Sequence, residues 1–130
     1  MKRSLVAILA LASLAGCTSL TNAKFDNIEA VRYVDVSVVT VEISKHCDVP
    51  NAVKALLPSL VSLSAASLAY SNIKPNNENI IQASKIIYNL TTELNTRYST
   101  SVPSPSYCRL KLASIAEAST LVATSLAKKD

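Results

Sequence analysis

With 130 residues, of which 49% are apolar, 17% charged and 5% aromatic, the chain has material for one aliphatic core and one domain. The net charge of +4 includes Lys2 and Arg3. Beyond them the balance is near neutral and no basic stripe or basic-aromatic interleaving occurs, which excludes a nucleic-acid footprint. The single glycine, Gly16, leaves no phosphate-cradling loop or dinucleotide fingerprint, and it argues against hairpins with tight primed turns.

In chain order, Lys2 and Arg3 precede an apolar run from Leu5 to Leu14, too short to span a bilayer but of the length of a secretory signal core. The run ends in Leu14-Ala15-Gly16-Cys17, which resembles the lipobox of bacterial lipoproteins. The resemblance covers residues 1–17 only. It implies a signal peptide over residues 1–16, cleavage between Gly16 and Cys17, a diacylglycerol thioether on Cys17 and amide acylation of the new terminus. Each buried methylene of such chains adds about 0.8 kcal/mol of membrane affinity, so two or three chains anchor durably. In that family an aspartate after the cysteine retains the protein at the inner membrane. Thr18 stands there, so the expected address is the periplasmic face of a Gram-negative outer membrane.

With Cys17 assigned to lipid, Cys47 and Cys108 remain as an even pair in an oxidising compartment, and a structural disulfide is expected. A loop of this size is worth about 4 kcal/mol in the chain-entropy model. The adjacent His46 raises a metal site or a nucleophilic cysteine as alternatives. His46 is the only histidine, however, and no Cys-x-x-Cys accompanies it, so a zinc site lacks ligands.

Residues 17–25 read as a polar tether and residues 26–130 as a single helical domain. Asp26 followed by Glu29 has the form of a capping box for a helix over residues 26–45, with Ile28, Val31, Val34, Val38 and Val41 at helical spacing. The same stretch is rich in β-branched residues, and Val34, Val36 and Val38 alternate, so a strand remains an alternative there. Asp48 and Pro50 open a second helix with a seam of Val53, Leu56, Leu60, Leu63, Ser67 and Tyr70; Pro58 either kinks it or marks its start. Residues 72–77 form a turn around Pro75. A third helix over 77–98 carries Ile80, Ala83, Ile87, Leu90 and Leu94. After a loop over 99–106, Ser104 and Pro105 start a last helix with the seam Cys108, Leu112, Ile115, Ser119, Val122 and Leu126.

The expected fold is therefore all-α, a small up-down bundle of three to four helices with one disulfide. In that topology Cys47 and Cys108 fall at the same end, and the C-terminus, with Lys128 and Lys129, returns to the tether end. The uncharged stretch from Ala55 to Ile73 has the length of a membrane span, but Pro58, Asn72 and its serines suit a bundle helix better.

No residue set calls for catalysis, a cofactor or a small-molecule substrate. The carboxylates are scattered, no nucleophile-elbow motif surrounds a serine, and Tyr70, Tyr88, Tyr98 and Tyr107 read as rim-of-core residues. Glu117 interrupts an apolar helix, on its solvated face or paired with Arg97. The functional expectation is a non-enzymatic envelope lipoprotein, held on the membrane by acyl chains on Cys17 and binding another envelope protein or the cell wall. A phage- or prophage-encoded lipoprotein for superinfection exclusion or host lysis, in the manner of outer spanins, is the alternative. A carrier of apolar ligands is a third reading.

Overall fold

The computed structural model describes residues 25–127; Gly16, Cys17, Lys128 and Lys129 lie outside the described residues. Four helices follow one another: α1 (Asn27–Ser44), α2 (Pro50–Ile73), α3 (Glu78–Thr100) and α4 (Pro105–Leu126). No strand occurs among the described residues, so the β-branched stretch of residues 26–45 is helix. Its start is fixed by Asp26, whose carboxylate accepts the Glu29 backbone N–H at 3.0 Å. Ser104 caps α4 in the same way, accepting from Tyr107 N–H at 3.2 Å with Pro105 in the first turn. Asp48 does not cap α2. Val49 holds that position without a side-chain bond, and Asp48 instead meets Arg109 at 3.4 Å on the surface. Pro58 lies within an unbroken α2 on its exposed side, where the carbonyl it leaves unbonded can be solvated.

The helices run up and down, α1 packing on α4 and α2, and α3 packing on α2 and α4. Cys47 and Cys108 are disulfide-bonded at one end, with their Cα atoms 5.8 Å apart. At the other end the Asp26 N–H donates to the Leu126 carbonyl at 2.8 Å, tying the start of α1 to the end of α4.

Buried positions recur by fours and threes on every helix. On α1 they are Glu29, Tyr33, Val36, Thr40 and Ile43, continued by Cys47; on α2, Val53, Leu57, Leu60, Ser64, Ser67 and Ser71. On α3 they are Ile80, Ser84, Ile87, Thr91, Leu94 and Tyr98; on α4, Cys108, Leu112, Ile115, Ser119, Val122 and Leu126. A period of 3.5 is the heptad of coiled-coil packing. The α4 seam matches the sequence expectation residue for residue. On α2 and α3 the expected seam slips by one at Leu56, Leu63, Tyr70, Ala83 and Leu90, where Leu57 or a neighbouring serine or threonine takes the buried position. Several of the buried hydroxyls bond back along their own helix: Ser64 to the Val61 carbonyl at 2.9 Å, Thr91 to Tyr88 at 2.9 Å, Ser67 to Leu63 at 2.9 Å and Ser119 to Ile115 at 2.7 Å. Ser71 turns instead to Glu29, and the Ser84 hydroxyl has no hydrogen-bond partner among the described residues. The back-bonded ones, thus satisfied, pack as small residues.

The correction on α1 is larger. Ile28, Val31, Val34, Val38 and Val41, the expected seam, are all exposed. The core takes the more polar face instead, because Glu29, Tyr33 and Thr40 find hydrogen bonds inside the bundle and the valines do not need them.

By length and composition α2 is, among the described residues, the one helix able to cross a membrane. In the structure it buries Val53, Leu57 and Leu60 in the bundle core.

Candidate functional site

Two features stand apart from generic bundle packing, and both involve α1. The first is a buried polar cluster at the end of the bundle where α1 begins and α2 turns into α3. The Glu29 side chain is 0% exposed. Its Oε1 accepts from Ser71 Oγ at 2.6 Å and from Asn77 Nδ2 at 3.0 Å, and its Oε2 accepts from Lys74 Nζ. Ser71 has one proton and gives it to Glu29, so the Tyr33 hydroxyl, 2.6 Å away, must donate to Ser71. The result is a directed chain from Tyr33 through Ser71 to Glu29. Lys74 also reaches Asp26 Oδ2 at 2.9 Å, and Asn77 closes the α2–α3 turn by donating to the Ser71 carbonyl at 3.0 Å. Asn76, in that turn, is the one residue with positive φ among those described, at 55°, a conformation asparagine tolerates.

The electrostatics follow from this geometry. Burial opposes ionisation of Asp26, but the Glu29 N–H and the Lys74 ammonium outweigh it and hold the carboxyl below its usual value. Burial also opposes charge on Lys74, and the hydrogen bonds it donates to Glu29 and Asp26 outweigh it, raising the ammonium's pKa. Desolvation pushes the Tyr33 phenol upward, and does the same to Tyr98. Chemically the cluster is a closed latch. Its carboxylate is saturated with donors and sealed from solvent, so it offers no substrate a place to bind. The sequence pattern shows Glu29 only as the third residue after a cap. Its partners lie 42, 45 and 48 residues away, and no local signal announces them.

The second feature is a groove of about 440 Å³ along the outside of α1 and α4, lined by Val31, Val34 and Val38 on one side and Thr120, Ala123 and Thr124 on the other. Small residues let the two helices approach closely here, and Ser37 Oγ meets Thr120 Oγ1 at 2.9 Å across the floor. With Ile28 and Val41, the valines form a stripe whose members are 46 to 65% exposed. That leaves on the order of 450 Å² of apolar surface in one strip, comparable with patches that mark contact sites. Val31, Val34, Val38 and Val41 step by three, four and three, so α1 carries a second heptad seam on the side opposite its buried one.

Of the residues singled out in the sequence, Cys47 and Cys108 are brought together and buried. His46 is beside them and partly buried, and no group of three or more metal-ligating side chains exists among the described residues. Gly16 and Cys17 are outside the described residues. Glu117 is exposed, and Arg97 stacks over the Tyr107 ring at 4.7 Å rather than pairing with it. Tyr70 lies under Arg32 at 4.6 Å, as a rim residue, whereas Tyr98 is buried. Comparison of the chain with protein-family models, with curated proteins and with solved structures finds no match.

Proposed function

We propose that this chain is a lipid-anchored envelope protein without enzymatic activity, and that it works by holding another protein against the outer face of α1. The observation that carries this reading is the uncovered valine seam: a helix that spends its most apolar face on solvent has a second contact to make. The lipobox resemblance at Leu14-Ala15-Gly16-Cys17 supports an acyl anchor on Cys17 at the periplasmic face of the outer membrane. The chain's path supports a defined orientation, since Phe25 enters the bundle at the latch end and the disulfide closes the distal end. Helices of 18 to 24 residues give a rod of about 30 Å, enough to present the whole seam clear of headgroups.

The test uses the full chain in a Gram-negative host. A photo-crosslinking residue placed at Val41 should give a discrete adduct in the outer-membrane fraction, and one at Ser59, on the exposed side of α2, should not. Val34→Asp/Val38→Asp should remove the adduct without lowering the amount of protein. Equal labelling from both positions, or an adduct untouched by the aspartates, would refute docking at α1.

A further inference from the structure

We propose that the α1–α4 groove receives an amphipathic helix whose apolar seam is flanked by lysine or arginine. The proposal rests on the docking reading above and names the partner's chemistry.

A helix fits the groove for geometric reasons. From Ile28 to Val41 the stripe runs about 20 Å along α1, the length of about four helical turns. Its valines keep heptad spacing, which supplies holes for the knobs of a helix lying alongside and not for the period of two of a strand. The opposite wall, Thr120, Ala123 and Thr124, is small enough for a third backbone to settle between α1 and α4.

Charge selects the kind of helix. Asp35 and Glu42 follow the stripe along one flank of α1, and Glu117 stands on the other rim, three residues before Thr120 on α4; all three are exposed. Glu42 is engaged by Lys45 at 3.0 Å, an exposed pair at the far end of the seam. Asp35 and Glu117 have no ion-pair partner among the described residues. An apolar strip between two acidic rims attracts basic flanks. The same rims disfavour two other occupants. Two copies meeting along this seam would bring acidic rim against acidic rim whichever way the helices ran, and an anionic bilayer surface would be repelled.

The experiment uses the full chain in lipid nanodiscs and two synthetic peptides of about four turns. Both carry the same leucine heptad seam, flanked by lysine in one and by glutamate in the other. Fluorescence anisotropy should show the lysine peptide binding at least about tenfold more tightly at low salt, the gap narrowing as salt rises. Asp35→Lys/Glu117→Lys should reverse the preference, and Val34→Asp/Val38→Asp should abolish binding of both. Equal affinities, a preference for glutamate, or no binding overturns the proposal. A dimer in sedimentation that the aspartates dissociate also overturns it, in favour of a second copy. If the in-cell adduct from Val41 behaves as expected while the peptides are ignored, docking stands and the basic helix falls; if both fail, both readings fall.

Discussion

Replacing Lys74 with methionine isolates the worth of the latch. Lys74 spans Glu29 and Asp26, while Glu29 is wholly buried and keeps the Ser71 and Asn77 donors. Removing one partner of a buried ion pair costs about 3–5 kcal/mol, because the other charge is left uncompensated. The Lys74 side chain is 21% exposed and two neutral donors remain, which puts Lys74→Met at the low end, about 3 kcal/mol. For a domain of this size that is a fall in Tm of roughly 12–20 °C. Glu29→Gln keeps an acceptor for Ser71 and Asn77 and should cost about 1 kcal/mol. In the double variant, Lys74→Met no longer strands a charge, so the two changes should cost about 2 kcal/mol less than their sum. Urea unfolding followed by circular dichroism, with the disulfide intact, measures all four corners of the cycle. A loss under 0.5 kcal/mol for Lys74→Met, or strict additivity, would refute the latch as an energetic unit.

The remaining predictions are more direct. Cys47→Ala/Cys108→Ala should lower stability by about 4 kcal/mol for a closure of 61 residues, and native protein should lack free thiols in a mass assay. Stability should be level across neutral pH and fall at both extremes. The depressed Asp26 contributes above its unfolded value near 3.8 and is lost as pH drops through its lower folded value. The raised Lys74 and Tyr33 contribute in full below about 10 and are lost as pH climbs toward their higher folded values. A melting series from pH 2 to pH 12 reads both limbs, and a single acid limb would contradict the Lys74 and Tyr33 assignments. Val34→Asp/Val38→Asp should leave Tm within a few degrees of wild type, since both side chains face solvent. Cys17→Ser should abolish lipid labelling and block processing; normal release of that variant would leave an ordinary secreted protein.

What the residues reveal unaided is uneven, and α1 and α4 mark the extremes. On α4 one face is apolar enough that Cys108, Leu112, Ile115 and Val122 point to a single solution, and the caps at Ser104 and Pro105 set its start. On α1 two stripes compete, and the more hydrophobic one is the surface. A scale of hydrophobicity selects Ile28, Val31, Val34, Val38 and Val41, whereas burial follows Glu29 and Tyr33, whose partners Ser71, Lys74 and Asn77 lie beyond α1, with Thr40 satisfied by the Val36 carbonyl of its own helix. That information is non-local. Serine and threonine mislead on α2 and α3 for a related reason, since Ser64 and Thr91 meet each other at 2.8 Å inside the core. The cysteine pairing and the up-down order were legible because two residues and one topology suffice to test each other. The groove was not, because an exposed face written in valine looks like a core.

The two ties on α1 also have a mechanical side. A pull arriving at Phe25 meets the Asp26–Leu126 bond and the Lys74 contacts first, and these sit in one short stretch of chain. Once they yield, α1 can peel from α4 only as far as Cys47, where a covalent bond stops it. The slack so released is at most about 75 Å of extended chain. A load on Phe25 therefore meets a set of non-covalent contacts first and a covalent bond second.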